Sequence, residues 1–239
     1  MDNQSSCFPE SGLCCRESDG YLDSFLSTEG NLHDWGPTQF YPPNTEIYHQ
    51  EASANAVYLI ERGLVKLTWL DPDGHEVIVG LRRRHWLIGA PAVFLERRFA
   101  YTVTTLIPCC LRCISAKEFL GMVNTNTKFS RELLRTFSEE IYSQGIKVAM
   151  LGCMPARDRL TRFFCELVHE QKQASCLSEL QKPMKLLVPL KLKELAQLIA
   201  ISPEHLSRIF RDLEQQGIIQ RDNGRLILTD PARLLSDQS

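Results

Sequence analysis

The sequence predicts an α+β protein with a β-rich first half and a winged helix-turn-helix at its end. Three observations lead to this fold class. Short apolar segments separated by turn residues run from Gly36 to Lys117, a pattern typical of a β-sandwich or barrel. Helical periodicity begins at about Lys117. Near the carboxyl end, two short amphipathic helices precede a β-hairpin.

Length and composition indicate an ordinary globular protein. The 239 residues are enough for two modest domains, and the chain is 44% apolar with a net charge of −2. The N-terminus has neither the basic start nor the apolar core of a signal peptide, and no apolar run approaches the ~20 residues of a membrane span. We therefore expect a cytoplasmic protein with no membrane partner. Its nine cysteines are then expected to be thiols or ligands rather than disulfides.

The first 120 residues divide into an arm and a β-rich domain. Residues 1–35 are expected to form a loose arm with one short helix near Tyr21–Leu26, and residues 36–120 form the β-rich domain. Turns are predicted at Pro42–Asn44, Arg62–Gly63 and Asp71–Gly74. The predicted strands are Glu46–Tyr48, Ala56–Ile60, Leu64–Trp69, Val77–Leu81, Thr102–Leu106 and Leu111–Ile114.

Residues 121–154 are predicted to form a long helix that dimerises and ends in a hinge. Its seam residues recur in alternating steps of three and four: Leu134, Phe137, Ile141, Gln144, Val148 and Leu151. A seam of this length indicates a parallel two-fold homodimer, with packing against the chain's own β-domain as the alternative. Gln144 is its one polar position and can fix the register. Met154 and Pro155 break the helix and are the predicted hinge.

The remaining residues, 155–239, are assigned to the winged helix-turn-helix domain. A helix at Arg157–Glu170, a polar loop at 171–182 and a strand at Met184–Val188 are expected first. Lys191–Ile199 then forms the first helix of the motif, with Leu192, Leu195, Leu198 and Ile199 facing inward. The hairpin of Ile218–Arg221 and Arg225–Leu228 turns at Asp222-Asn223-Gly224 and forms the wing.

The second helix of the motif carries the predicted DNA-reading face. Ser202 is its N-cap, Pro203 suits the first helical position, and Gly217 ends it. Leu206, Ile209, Phe210 and Leu213 face inward. The outward set is Glu204, His205, Ser207, Arg208 and Arg211. Such a helix is sized for the DNA major groove, although the same motif also occurs as a purely structural helical corner.

Three outward residues have the chemistry of base recognition. Arg208 can donate two parallel hydrogen bonds to guanine, Glu204 can accept from cytosine or adenine, and Ser207 can contact either kind of base edge. Residues 189–239 hold seven basic and seven acidic side chains, so we expect modest nonspecific affinity. Backbone or flanking contacts are assigned to Lys191, Ser202, His205, Arg211 and Arg225.

These motifs resemble the Crp/Fnr superfamily of bacterial transcription regulators. Glu204, Ser207 and Arg208 match the Glu-x-x-Ser-Arg pattern of its Fnr-like branch, whose operators are TTGA-type inverted repeats. The strand order, with the Gly63 turn and the Asp71–Gly74 hairpin, looks like the cyclic-nucleotide-binding β-roll of that family. The resemblance implies a β-roll sensor, a long dimerisation helix, a winged helix that binds double-stranded DNA, and RNA polymerase as a partner.

The resemblance leaves the effector open. Cyclic-nucleotide-binding members use a Gly-Glu pair and an Arg-Ser-Ala segment. Here Gly89, Arg98 and Ala100 match, but Ala90 replaces the ribose-binding acid and Phe99 replaces the small hydroxyl residue. Phe99 is expected to fill the phosphate recess, which argues against cAMP. The controlling signal is therefore left unidentified, with a cyclic-nucleotide-responsive regulator as one alternative.

An Fnr-like redox regulator with an iron–sulfur cluster is a second alternative. Its ligands would be three arm cysteines, Cys7, Cys14 and Cys15, and Cys113 of the β-roll. Their spacing lacks Cys-x-x-Cys, so plain thiols are expected, with Cys153 and Cys165 buried in helices. Haem is a third alternative, but His33, His75 and His85 are isolated. No cofactor is therefore predicted.

Two other classes of protein fit the sequence less well than a DNA-binding regulator does. The chain has no Gly-rich phosphate loop, no His-Glu-x-x-His and no nucleophile elbow, so it is not expected to be an enzyme. A protein-interaction adaptor built on a ligand-free roll would dimerise but would not bind DNA in a salt-dependent way.

Overall fold

A computed structural model describes residues 36–175, 184–186, 188–222 and 225–230. The arm of residues 1–35, with its predicted short helix, lies outside the described residues. In the first domain the strands are β1 (Thr38–Tyr41), β2 (Glu46–Tyr48), β3 (Ala56–Arg62), β4 (Val65–Leu70), β5 (Glu76–Arg82), β6 (Leu87–Ile88), β7 (Thr102–Thr105) and β8 (Cys109–Ser115). A short helix, α1 (Ala90–Phe94), lies between β6 and β7.

The eight strands form two antiparallel four-stranded sheets of a β-roll. One sheet has the order β1-β8-β3-β6 and the other β2-β7-β4-β5. The six predicted strands are present, and β4 and β5 pair from Val65–Arg82 to Leu70–Glu76 around the predicted Asp71–Gly74 turn. Sequence analysis missed β1 and β6. Most of β1 is exposed and β6 has only two residues, so neither carries the period-two alternation that identifies a strand.

The core of the roll lies between the β1-β8-β3-β6 sheet and the helices that follow it. Phe119 stacks edge-to-face between Phe94 and Phe129, with ring centroids 5.5 and 6.0 Å away. The buried cluster consists of Val57, Leu59, Leu87, Ala90, Val93, Ile114, Phe119, Phe129 and Leu133. Residues of the roll and of the first helical turns thus share one core.

The helical segment after the roll is interrupted twice. Helix α2 (Ala116–Thr125) ends at Asn126, whose Oδ1 accepts a hydrogen bond from the Phe129 N–H at 3.0 Å and so starts α3 (Thr127–Cys153). Pro155 then separates α3 from α4 (Ala156–Ser175), which confirms the predicted break. The predicted loop at 171–182 is wrong at its start, because α4 continues to Ser175.

A helix-turn-helix and a three-stranded sheet complete the described chain. Helix α5 (Leu192–Leu198) and helix α6 (Pro203–Gln215) precede β10 (Ile219–Asp222) and β11 (Arg225–Leu228). Strand β9 (Met184–Leu186) pairs with β11 and thereby joins the wing, as predicted. The predicted α+β fold class, with a β-roll, a long helix and a winged helix-turn-helix, is confirmed.

Contacts divide the described chain into two compact units. One contains the described residues within 17–139 and 188–208, and the other those within 140–187 and 209–239. Helix α5 therefore belongs to the same unit as the β-roll. In the part of the chain that the structure describes, no helix is both long and apolar enough to span a bilayer.

Candidate nucleic-acid interface

Local sequence signals fix both ends of helix α6. The Ser202 Oγ accepts a hydrogen bond from the His205 N–H at 3.1 Å, as an N-cap does, and Pro203 is the first helical residue. At the other end, Gly217 has a φ of +68° and the Ile218 N–H donates to the Leu213 carbonyl at 3.0 Å. Glycine adopts this left-handed conformation without a steric cost, and the chain can leave the helix there.

Helix α6 has one apolar face and one polar face. Leu206, Ile209, Phe210 and Leu213 are at most 6% exposed, so the apolar face lies in the core as predicted. The predicted outward residues Glu204, His205, Arg208 and Arg211 are exposed, as are Asp212 and Gln215, and Ser207 is half-buried. A polar stripe of this width on the second helix of a helix-turn-helix has the dimensions to enter a major groove.

The charges on this face suit hydrogen bonding to base edges. The Glu204 backbone N–H, the Ser202 hydroxyl and the positive charge of Arg208 lower the pKa of Glu204, so this carboxylate is an acceptor at neutral pH. No hydrogen bond or ion pair within the described chain holds the exposed Arg208 guanidinium. This face therefore presents the Glu204 carboxylate, a hydrogen-bond acceptor, and the Arg208 guanidinium, a donor of parallel hydrogen bonds, one helical turn apart.

The remaining residues predicted to contact DNA lie on α6, just before α5 and in the wing. Ser207 is on α6, where its hydroxyl donates to the Pro203 carbonyl at 2.8 Å. Lys191 is exposed and immediately precedes α5, and its N–H donates to Glu194 Oε2 at 2.8 Å. Arg225 is the first residue of β11 in the wing. Leu192, predicted to face inward with its three apolar neighbours, is instead 40% exposed, because it occupies the first position of α5.

An ion pair that sequence analysis missed joins α6 to the wing. Arg221 of β10 donates from Nε to Glu214 Oε1 at 2.7 Å and from Nη2 to Oε2 at 2.8 Å. Its guanidinium also lies over the Phe210 ring, 5.5 Å from the ring centroid. Two parallel hydrogen bonds orient the carboxylate more strictly than one. The only signal in the sequence is opposite charge seven residues apart across a turn, which is too common to identify a pair.

The predicted dimerisation seam of α3 separates into exposed and half-buried residues. Leu134, Ile141 and Val148 are 67, 74 and 68% exposed, and Leu151 is 39% exposed. Phe137 instead packs on the core of the roll, with its ring 5.9 Å from Phe94, so the alternative of packing against the chain's own roll holds for this residue. Gln144 is half-buried and donates to Glu140 at 2.7 Å. Tyr142 adds a further exposed ring, at 63%, that the heptad pattern did not indicate.

Aromatic side chains lie against Gly89, the residue that the sequence resemblance assigns to a phosphate recess. Phe99 is 4% exposed and stacks on Tyr48, with ring centroids 3.8 Å apart. A Cβ atom added to Gly89 would lie 3.0 Å from the Phe99 ring, so the ring lies directly against the glycine backbone. Burial raises the pKa of Tyr48, and this phenol stays neutral. The glycine therefore contacts an aromatic ring of its own chain.

The other predicted effector residues do not complete a cyclic-nucleotide site. Ala90 is fully buried and supplies no carboxylate for a ribose hydroxyl. Arg98 is exposed, and its guanidinium donates to the Glu51 carbonyl at 2.6 Å. Ala100 is exposed as well. A cyclic nucleotide held by a ribose-binding acid and a phosphate cradle does not fit these residues.

Among the described residues, no three cysteine or histidine side chains lie close enough together to hold one metal ion. Cys113 is half-buried beside Tyr58, and burial is the main cause that raises the pKa of its thiol, which opposes the thiolate that a cluster needs. Cys7, Cys14, Cys15 and His33 lie outside the described residues. Cys165 is half-buried, and the expectation that Cys153 is buried is wrong: it is exposed on the last turn of α3.

Asp71, Asp73 and His75 are near enough to one another for a single metal ion to contact all three. They belong to the exposed β4–β5 turn, where the His75 N–H and ring bond the Asp71 carboxylate at 2.8 and 2.9 Å. This hydrogen bond from the His75 N–H is the main cause that lowers the pKa of Asp71. The arrangement closes the hairpin turn, and His75 is exposed as predicted. His85 is half-buried with a φ of +65°.

Comparisons with known proteins agree with both halves of the fold. A family model described as a cyclic nucleotide-binding domain matches residues 38–126, and one described as a Crp-like helix-turn-helix domain matches residues 158–236. The solved structure of FixK2 from Bradyrhizobium japonicum has a TM-score of 0.68 at 19% identity. That match covers 84% of this chain and 96% of FixK2.

Two curated relatives are similar over most of the chain. The transcriptional activator protein FnrL of Cereibacter sphaeroides is 27% identical over 73% of this chain and 69% of its own length. The cAMP-activated global transcriptional regulator CRP of Salmonella typhimurium is 24% identical over 89% of this chain and 95% of its own length. Such regulators are DNA-binding transcription factors and not enzymes. The chain belongs to the Crp/Fnr family of transcription regulators, and its helix-turn-helix is a DNA-binding one.

Proposed function

We propose that this regulator acts as a homodimer in the cytoplasm and reads an inverted-repeat, TTGA-type operator. Each α6 enters a major groove, and the two half-sites lie about 34–36 Å apart on one side of the duplex. Glu204, Ser207 and Arg208 contact bases. Lys191, Ser202, His205, Arg211 and Arg225 contact the backbone or flanking positions. RNA polymerase is the proposed protein partner.

The two-faced character of α6 is the observation that carries this proposal. Its apolar residues are buried, whereas Glu204 and Arg208 project into solvent one turn apart. A purely structural helical corner does not require an exposed arginine that makes no hydrogen bond or ion pair with any described residue. A guanine in the major groove offers two acceptors in the geometry of such a guanidinium.

The exposed apolar residues of α3 support the dimer. Leu134, Ile141 and Val148 recur every seven residues and each exposes two thirds or more of its surface. A second copy of the same helix covers such a seam most simply through a two-fold interface. The dimer also compensates for a DNA-binding half that is not strongly basic, because linking two half-site contacts raises their combined affinity.

The proposed signal is something other than a cyclic nucleotide. Phe99 and Tyr48 occupy the recess, and Ala90 cannot bind a ribose hydroxyl. An iron–sulfur regulator stays an alternative, since three of its four proposed cysteines belong to the arm. Absorbance and metal content of protein purified under nitrogen separate the two: a cluster predicts colour and iron, and the proposal predicts neither.

The test of operator reading uses Arg208→Ala on duplexes that differ by one base pair per half-site. The variant should weaken binding to the inverted repeat by about 1–3 kcal/mol per half-site, or about 5- to 150-fold. It should also lose most of its discrimination at one guanine. Fluorescence anisotropy with labelled duplexes at fixed salt measures both quantities.

Arg211→Ala is the matched control, because Arg211 is exposed on the same helix. As a backbone contact, it should weaken all duplexes by a similar factor and lower the salt dependence of binding. Equal weakening of all sequences by Arg208→Ala would instead make Arg208 a phosphate contact. If the unmodified dimer did not prefer the inverted repeat over unrelated DNA, the proposal would fail.

A further inference from the structure

An ion pair connects the β-roll to the first helix of the helix-turn-helix. The Lys66 ammonium on β4 contacts Glu194 Oε1 in the first turn of α5. Their side chains are only 18 and 16% exposed. The residues are 128 positions apart in the sequence, and nothing in the heptad, strand or helix-turn-helix patterns predicts the contact. Because both charged groups are largely removed from water, loss of one leaves the other uncompensated.

A second contact, one turn along the same helix, limits rotation of α5 on the roll. Gln197 Nε2 donates to the backbone carbonyl of Glu76, the first residue of β5, at 2.7 Å. The two contacts involve neighbouring strands, because β4 and β5 are paired. Helix α5 also packs against β5. Two attachment points on one helix and two strands define both its position and its rotation.

A closely bonded turn transmits the position of α5 to α6. The Ala200 N–H donates to the Gln197 carbonyl and the Ile201 N–H to the Ala196 carbonyl, both at 3.0 Å. The Leu206 N–H then bonds the Ser202 carbonyl at 3.0 Å. Backbone bonds hold the chain to α5 as far as Ile201 and to α6 from Ser202 onward, so the connection between the two helices is short and α6 follows the direction of α5. A contact that orients α5 therefore also orients Glu204 and Arg208.

We propose that Lys66 and Glu194 form a clamp by which the β-roll orients the DNA-reading helix, which makes Lys66 a positioning residue for DNA binding. The inference rests on the proposed function, in which two half-sites are bound at once. Lys66 touches no DNA in this scheme. Without the clamp, each helix-turn-helix samples more orientations, and the effective concentration at the second half-site falls.

The test compares two duplexes, one with both half-sites and one with a single half-site, with full-length protein. Lys66→Met keeps an unbranched side chain that is one heavy atom shorter, and it removes the charge. Glu194→Gln also removes a charge, and a glutamine at this position still accepts the capping bond from the Lys191 N–H. Each variant should weaken binding to the two-site duplex by about tenfold and binding to the single site by no more than about twofold.

Two further variants show whether Lys66 and Glu194 act through one shared contact or contribute to DNA affinity independently. Lys66→Met with Glu194→Gln should bind no more weakly than either single variant, since both remove the same contact. Lys66→Glu with Glu194→Lys should recover most of the two-site affinity. Lys193→Met is the control, because it removes an exposed charge from the same helix and should not affect the two duplexes differently. Circular dichroism establishes that each variant is folded.

Two outcomes would overturn the inference. These are equal weakening of binding to both duplexes, or losses of affinity in the two single variants that multiply in the double variant. The folded double variant decides the question even where a single variant unfolds, because it too should lose affinity only for the two-site duplex. Failure of the unmodified protein to bind the two-site duplex would instead refute the proposed function, so the two failures are distinguishable.

Discussion

Phe99 stacks on Tyr48 with ring centroids 3.8 Å apart, at the site where a β-roll of this family would hold a nucleotide phosphate. The Phe99 ring also lies against Gly89, and Tyr48 keeps its proton because burial raises its pKa. Two aromatic rings in contact gain dispersion and burial that a bound ligand would have to replace. The pair therefore acts as an internal plug of the recess.

The plug predicts that cyclic nucleotides do not stabilise the protein. A ligand present at one hundred times its Kd raises the free energy of unfolding by about 2.7 kcal/mol, which thermal unfolding detects readily. We expect no change in Tm with cAMP or cGMP at about 1 mM, so any Kd would exceed that concentration. Adenosine 5′-monophosphate controls for general effects of phosphate. A saturable rise of Tm with a cyclic nucleotide alone would refute this prediction.

The plug also illustrates what sequence can and cannot predict. Phe99 was expected in the recess because it aligns with a residue of a known motif. Its partner Tyr48 is not predictable in this way, because the two residues are 51 positions apart and only the tertiary fold brings the segment before β7, which contains Phe99, next to β2. Helix α6 was predictable in detail, since the Ser202 cap, the 3.6-residue periodicity and Gly217 are all local signals. Lys66 and Glu194 have no such signal, because a lysine in an alternating strand is normally a solvated residue.

The Arg221–Glu214 pair predicts a modest stabilisation of the wing. Arg221→Ala should lower the free energy of unfolding by about 1 kcal/mol, because it removes two hydrogen bonds and the contact with the Phe210 ring. The figure is this small because the Arg221 side chain is 44% exposed and water screens the pair. Urea denaturation measures the loss.

Arg221→Lys retains the positive charge but cannot donate two parallel hydrogen bonds from one planar group. Its free energy of unfolding should therefore lie between those of Arg221→Ala and the unmodified protein. Arg211→Ala, an exposed substitution on the same helix, should change the free energy of unfolding by less than about 0.5 kcal/mol. If Arg221→Lys and the unmodified protein had the same free energy of unfolding, the two parallel hydrogen bonds from Arg221 to Glu214 would contribute nothing to stability.

The α3 seam predicts that one exposed residue controls the oligomeric state. Ile141 is 74% exposed, so Ile141→Glu should leave a protomer folded. At a two-fold interface it would bury two carboxylates, and we expect dimerisation to weaken by about tenfold or more. Sedimentation velocity over a concentration series measures this change, and binding to the two-site duplex should weaken with it.

Ala149→Glu is the matched control, because Ala149 is exposed on the same helix and outside the seam. It should sediment as the unmodified protein does. If Ile141→Glu dimerised with unchanged affinity, the dimer interface would not lie on this face of α3.

The last prediction concerns the pH dependence of the clamp. Burial alone would raise the pKa of Glu194, but hydrogen bonds from Lys66 and the Lys191 N–H, with the charges of both lysines, lower it overall. A carboxyl group whose pKa is lower in the folded than in the unfolded state stabilises the fold above its unfolded pKa of about 4.3. That stabilisation is lost as the pH falls through the pKa of Glu194 in the folded state, because protonation removes the charge that Lys66 contacts.

The free energy of unfolding should therefore be measured for the unmodified protein and for Glu194→Gln between pH 3 and pH 7. The difference between the two proteins isolates Glu194 from Glu204 and Glu214, whose pKa values are also lowered. We expect a constant difference in favour of the unmodified protein above about pH 5 and a decline below about pH 4. A difference that grew on acidification would mean that Glu194 is destabilised by its surroundings, and Lys66 would then not be its counter-charge.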